Sequence, residues 1–195
     1  MEADDKPAWR AHLRAARAAV PPSVRAAEAS ALSRWVRSLR GTVCAYWPVG
    51  TEPGSVAMLS ALVEVGCRVL LPVVPSGGPG PLEWALFSDV DAMAVGRFGL
   101  VEPAGRRLGV DAIGQASTVL VPALAVDRRG VRLGRGGGYY DRSLTLTRAG
   151  TELVAVVRDE EVVERLPAEP HDVRMTAALT PTGGFVRLPD RADTQ

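Results

Sequence analysis

The sequence predicts an α/β fold, a single domain whose mostly parallel sheet is covered by helices on both faces. Three observations carry that expectation. Residues 119–126 form an apolar run interrupted only by Pro122, the pattern of a strand buried on both faces. Short apolar runs alternate along the chain with segments of helical periodicity, and such alternation implies crossovers between parallel strands. The chain has 195 residues, 47% of them hydrophobic, with no internal repeat and no linker, which suits one domain with a sizeable core.

Residues 6–20 read as a helix, with Asp5 as its cap and Pro7 in its first turn. Arg10, Arg14 and Arg17 share one face of it, because residues three and four apart are neighbours on a helix. Pro21 and Pro22 break the chain, and Ser23 caps a second helix to about Leu39. Its apolar stripe runs through Val24, Ala27, Ala31, Leu32, Trp35 and Val36, which places Trp35 in the core. Residues 42–47 form a short strand, 48–54 a loop carrying Glu52, and Ser55 caps a helix to about Val65. Residues 68–74 are another buried strand, 76–81 a Gly/Pro loop and 82–87 the next strand. Residues 89–95 read as helical and 97–103 as a turn, while 104–118 carry no clear signal. After the central run, 139–147 read as a helix, 153–157 as a strand, 160–165 as a helical turn and 176–180 as a last short strand. From about residue 190 the chain is a polar tail, expected to be disordered.

Composition excludes several classes. The net charge is +1, from 23 basic and 22 acidic residues, a balance that argues against general nucleic-acid or membrane-surface binding. Cys44 and Cys67 are too few and too scattered for a disulfide framework or a zinc site; both sit in apolar runs and read as buried thiols. No 18-residue apolar run and no leader-like segment occurs. A soluble, cytoplasmic, monomeric protein is expected.

The chemistry concentrates in VLVPALAVDRRGVRLGRGGGYYDRS, from Val119 to Ser143. Arg128, Arg129, Arg132 and Arg135 fall among Gly134, Gly136, Gly137 and Gly138, followed by Tyr139, Tyr140 and Asp141. Glycines let backbone N–H groups approach a ligand closely. Successive N–H groups leading into a helix suit an anion, and arginine forks add bidentate phosphate contacts. Asp141 is placed to hold a cation such as Mg²⁺, which binds through one or two carboxylates plus substrate phosphates. The bland reading is a surface hairpin with solvated arginines. A buried strand feeding the loop weighs against it, as does the repulsion the arginines would feel without an anion. The segment is neither a Walker A loop nor a Rossmann fingerprint, since Gly-Lys-Ser/Thr and the GxGxxG spacing are both missing.

RLGRGGGYYDR, preceded by VPALAVDRRG, resembles the signature of the 5-formyltetrahydrofolate cyclo-ligase family. YWPVGTEP resembles that family's Tyr-x-Pro-x-x-x-Glu segment, RFGLVEP its Phe-Gly-x-x-Glu-Pro, and LPAEPHD its Leu-Pro-x-Glu-x-His-Asp. Lys6 and Arg10 match its early lysine and the arginine four residues on. The resemblance implies ATP-dependent closure of 5-formyltetrahydrofolate to 5,10-methenyltetrahydrofolate, with ADP and phosphate released. It implies that Lys6, Arg10, Arg132, Gly134, Arg135, Gly136, Gly137, Gly138, Tyr139 and Tyr140 hold ATP. It places Arg10, Trp47, Glu52, Arg135 and Tyr139 on the folate, with Tyr46 in the same pocket and Phe98 or Glu102 near the pterin. Asp141 and Asp172 would hold Mg²⁺, and Arg135 would be catalytic between the γ-phosphate and the formyl group. His171 is a ligand partner or a loop cap.

The chain departs from the family pattern at Ala123, Val126, Arg158 and Thr176, which leaves the shape of the folate pocket open. Two other readings stand beside the enzyme. One is a catalytically impaired family member that binds nucleotide or folate. The other is an RNA-associated module using Arg128 to Arg135; the balanced charge and the lack of interleaved aromatics count against it.

Overall fold

The computed structural model describes residues 5–78, 80–170 and 172–189. His171 and the tail from residue 190 therefore lie outside the described residues. Helix α1 (Lys6–Ala18) starts where expected, because the Asp5 carboxylate accepts from the Ala8 N–H at 2.9 Å. Helix α2 (Pro22–Trp35) starts two residues early: Pro21, not Ser23, is its N-cap, and no side chain makes a capping bond. Pro22 suits the first helical position, since its φ is preset and its missing N–H is not needed there; this leaves Ser23 inside the first turn. Trp35 is 43% exposed, not core. The helix ends at Trp35, and the indole turns outward to donate to the Pro181 carbonyl at 3.0 Å.

The strands follow as β1 (Thr42–Cys44), then helix α3 (Val56–Glu64), β2 (Arg68–Val73), β3 (Glu83–Leu86), β4 (Met93–Val95), β5 (Val101–Pro103), β6 (Thr118–Pro122), β7 (Ala125–Asp127) and β8 (Arg132–Leu133). Helix α4 (Tyr139–Leu144), β9 (Glu152–Val156), β10 (Val162–Val163), β11 (Ala177–Thr180) and β12 (Gly184–Arg187) complete the chain. The main sheet has the order β12-β11-β9-β6-β1-β2-β3. Its five inner strands run parallel, and only the edges β12 and β3 are antiparallel.

Alternate residues of each inner strand serve opposite faces. Leu120, Val154 and Val156 pack with Leu32 of α2 and with Leu59 and Leu62 of α3. Val119, Val121 and Ala155 pack with Ile113 and with Leu144 of α4. Helices therefore cover both faces, as the apolar runs require. The chain order reverses between β1 and β6, and in open α/β sheets ligands bind beyond the strand C-termini at such a switch point.

Four expectations change. Residues 89–95 are not helical: β4 and β5 form a hairpin, closed by the Gly96 N–H on the Leu100 carbonyl at 2.7 Å. Residues 96–99, Gly-Arg-Phe-Gly, supply the turn, and Phe98 sits at φ 59°. The run 119–126 is two strands in two sheets; the main-sheet strand ends at Pro122, which has no N–H to continue the ladder, and β7 pairs with β8 and β10. The turn at 160–165 is a 3₁₀ turn (Asp159–Glu161) followed by β10. The strand at 176–180 is not the last, because β12 returns beside it. The unassigned stretch holds a 3₁₀ segment (Val110–Gln115) that contributes Ile113 to the core.

Candidate functional site

The loop 134–138 separates two concavities at the C-terminal end of the sheet. One is a cavity of about 250 Å³, mostly apolar, lined by Tyr46, Trp47, Val74, Leu100, Ala123 and Tyr140 among others, with Glu52 and Arg135 at its polar end. The other is a polar cleft of about 400 Å³ lined by Lys6, Arg10, Arg132, Gly134, Asp141 and Asp172. Gly134, Gly136 and Gly138 face both.

The glycines are needed for close approach. A Cβ on Gly134 would come within 2.7 Å of the Arg132 guanidinium. Gly136 sits at φ 101°, a conformation closed to other residues, and brings the backbone against the Arg10 guanidinium. Helix α4 has six residues, so anion binding at its start rests on loop amides more than on a helix dipole.

The charged groups expected to bind ligands are paired with one another. Lys6 Nζ lies 3.2 Å from Asp172 and 3.0 Å from Glu169. Arg132 lies 2.5 Å from Asp141. Arg135 Nε lies 3.1 Å from Glu52, and its Nη2 donates to the Val49 carbonyl at 3.2 Å. Arg10 donates to the Gly134 carbonyl at 2.9 Å, which ties α1 to the glycine loop. Arg128 pairs with Glu164 and Arg129 with Asp127, so the arginines balance their charge within the protein and do not by themselves demand an anion. Asp127, fully buried, accepts from the N–H groups of Arg129, Val131 and Leu166 and so shapes the β7–β8 hairpin.

At the polar end of the cavity, burial pushes the Glu52 carboxyl above the usual range, opposed by the Val49 N–H and then by Arg135. The Tyr46 hydroxyl is spent on the Pro53 carbonyl at 2.6 Å. The Tyr140 hydroxyl and Arg132 Nε are buried and have no hydrogen-bond partner among the described residues. Trp47 and Tyr139 line the same cavity, as do Phe98, 70% exposed at its mouth, and Glu102, whose carboxylate accepts from the Val74 N–H at 2.9 Å.

Asp141 and Asp172 line one cleft and offer oxygen donors of the kind Mg²⁺ prefers. Among the described residues no three ligating side chains cluster, so the donor set fits an ion that completes its shell with phosphate oxygens and water.

Sequence reasoning missed Arg17. Its place on the α1 face with Arg10 and Arg14 was visible, yet its side chain is 2% exposed. It pairs with Glu161 through both nitrogens at 2.6 and 2.7 Å and donates to the Ala123 carbonyl at 2.6 Å. The apolar walls Val74, Leu82, Leu100 and Leu124 were also missed, because nothing in an apolar run tells a cavity wall from a core residue. Of the four departures from the family pattern, only Ala123 lines the cavity. Arg158 instead pairs with Glu28 at 2.6 Å.

Among the described residues no helix is long and apolar enough to cross a membrane. A family model for the 5-formyltetrahydrofolate cyclo-ligase family matches residues 2–181. A 5-formyltetrahydrofolate cyclo-ligase of Mycolicibacterium smegmatis is 49% identical over 194 residues, covering 96% of this chain and all of that protein. The Escherichia coli K12 protein of the same name is 30% identical over 142 residues, covering 72% of this chain and 78% of its own. The solved structure of Aquifex aeolicus 5,10-methenyltetrahydrofolate synthetase superposes with a TM-score of 0.78 at 27% identity, covering 95% of this chain and 93% of that one. The chain belongs to the 5-formyltetrahydrofolate cyclo-ligase family and is an enzyme of that kind.

Proposed function

We propose that the protein converts 5-formyltetrahydrofolate and ATP to 5,10-methenyltetrahydrofolate, ADP and phosphate. The observation that carries this reading is that one glycine loop lines both a phosphate-suited polar cleft and an apolar cavity of ring-binding character. Arg135 belongs to that loop and reaches the carboxylate at the cavity's polar end.

The formyl oxygen is a poor leaving group. Its attack on the γ-phosphorus gives an N5-iminium phosphate and ADP. N10 then adds to the activated carbon, phosphate departs, and the imidazoline ring closes as N10 loses its proton. Little covalent chemistry falls to the protein, which places the reacting atoms in line and neutralises developing charge. Lys6, Arg10, Arg132 and the loop amides of residues 134–138 hold the triphosphate. Asp141 and Asp172 are the residues that would hold Mg²⁺, which would offset phosphate charge when bound. Lys6 and Arg132 turn from their resting carboxylates to phosphate, which would leave Asp141 and Asp172 free to hold the ion. Glu52 and the aromatic walls hold the pterin, with Arg135 at the seam, where charge moves from phosphate to formyl oxygen.

The test is the absorbance of the methenyl product together with released phosphate. Stoichiometric appearance of both, dependent on ATP, is expected. Binding of both ligands without product would instead make this chain a family member that has lost its chemistry.

A further inference from the structure

Tyr140 lines the apolar cavity, and its hydroxyl is buried and has no hydrogen-bond partner among the described residues. Buried polar groups are satisfied in the great majority of cases, and an unsatisfied one costs stability. That cost makes sense where a ligand completes the bond. We propose that Tyr140 is a specificity contact for the pterin: its hydroxyl donates to the ring's 4-oxo group while Glu52 accepts from the neighbouring N3–H. This rests on the folate reading of the cavity, and it moves Tyr140 from the nucleotide, where the sequence motif puts it, to the folate.

Four observations support the assignment. Tyr140 lines the apolar cavity and not the polar cleft, although the adjacent Asp141 lines both. The other buried tyrosine of that wall, Tyr46, has its hydroxyl committed to Pro53, so Tyr140 retains a donor. Burial, and then the negative charge of Glu52, hold the Tyr140 phenol protonated against the pull of Arg132, so it presents a proton. Glu52 is an acceptor with lone pairs beyond those taken by Val49 and Arg135. Tyr140 and Glu52 line the same cavity, and a donor and an acceptor together complement a lactam edge, an acceptor oxygen next to an N–H. A site built to bond such a group rejects an analogue that cannot return the bond.

The experiment uses the full chain and Tyr140→Phe, with 5-formyltetrahydrofolate and a 2,4-diamino folate analogue as probes in calorimetric titrations. Expected for Tyr140→Phe is a roughly tenfold weaker Kd for 5-formyltetrahydrofolate. Its preference for the 4-oxo ligand over the 4-amino ligand is expected to collapse. Thermal unfolding without ligand is expected at the same or a higher temperature than wild type, because the lost hydroxyl had no partner; a merely structural role would lower it. An unchanged folate Kd, an unchanged 4-oxo preference or a lowered unliganded Tm overturns the proposal. Wild-type protein that does not bind 5-formyltetrahydrofolate would overturn the folate reading itself, a distinguishable failure.

Discussion

The polar cleft and the apolar cavity share the loop 134–138 but treat charge differently. In the cleft, Lys6 faces Asp172 and Arg132 faces Asp141. Lys6 and Arg132 are each matched by a carboxylate suited to a metal, while Arg10 is held by the Gly134 carbonyl, so most of the cleft's charge is paired at rest. In the cavity, the Glu52–Arg135 pair stands at the polar end of an apolar wall, the Arg132–Asp141 pair borders it from the cleft side, and the Tyr140 hydroxyl has no partner among the described residues. A site for a metal-bound triphosphate can be stored as ion pairs, because its ligand brings both signs of charge and replaces them. A site for a ring must be stored as shape, with its few polar groups held in readiness.

Arg17 is where the two regions are tied together, so breaking it is expected to have the largest effect. It sits on the helix that carries Lys6 and Arg10, and it grips Glu161 and the Ala123 carbonyl beside the cavity. Arg17→Met leaves a buried carboxylate unpaired and is expected to destabilise the fold by about 3–5 kcal/mol. Arg17→Met combined with Glu161→Leu is expected to recover most of that loss. Urea denaturation of both variants checks this; a double variant less stable than the single would show that the pair itself is stabilising.

Asp141→Asn separates the regions from the cleft side. Asp141 holds Arg132, whose side chain is 5% exposed, so the substitution is expected to cost roughly 2–3 kcal/mol of stability through the lost charged bond. It is also expected to raise the Mg²⁺ needed for turnover while leaving folate binding intact. Wild-type turnover at limiting Mg²⁺ would remove Asp141 from the metal site.

Glu52→Gln separates them from the cavity side. It is expected to weaken folate by about 1.5–2 kcal/mol, since a charged hydrogen bond is lost, and to raise KM for folate far more than for ATP. Because burial raises the Glu52 carboxyl above the ordinary value, its folded form binds a proton more readily than its unfolded form. Its contribution to stability is therefore greatest at low pH and is lost as pH rises through the folded value. Folate affinity runs the other way: it needs the carboxylate and falls as pH drops through that same raised value. Binding titrations between neutral and mildly acidic pH are expected to show this loss in wild type and not in Glu52→Gln. Equal pH profiles would place Glu52 away from the pterin.

Much of this was legible in the residues. The apolar run 68–74 and the first half of 119–126 marked inner strands, since burial on both faces leaves no alternation to misread. That the second run leaves the main sheet at Pro122 was not legible, because its apolar character continues past that residue into β7. The motif residues from Lys6 to Asp172 converge on two adjoining concavities although they are far apart in the chain. Periodicity failed where context decides: 89–95 has helical spacing but folds as a hairpin, because the Gly96–Gly99 turn returns the chain to pair with 101–103. Trp35 fits the stripe of α2 yet lies at the helix end, where the phase no longer matters. Ion-pair partners were not legible, since Glu161 and Glu169 look like any surface acid until the fold brings Arg17 and Lys6 to them.

Arg135 stands at the seam between the regions, in the glycine loop that lines both. Its guanidinium is 51% exposed and reaches Glu52 and Val49 from the glycine loop. Lysine would keep the charge and lose the planar fork. The direct measurement is single-turnover formation of the methenyl product by Arg135→Lys at saturating ATP and folate. A rate constant lowered roughly 10–100-fold is expected, the size seen when part of a transition-state charge contact is lost, with nucleotide affinity retained through Lys6, Arg132 and the loop amides. An unchanged rate constant would contradict a role for Arg135 in the chemical step.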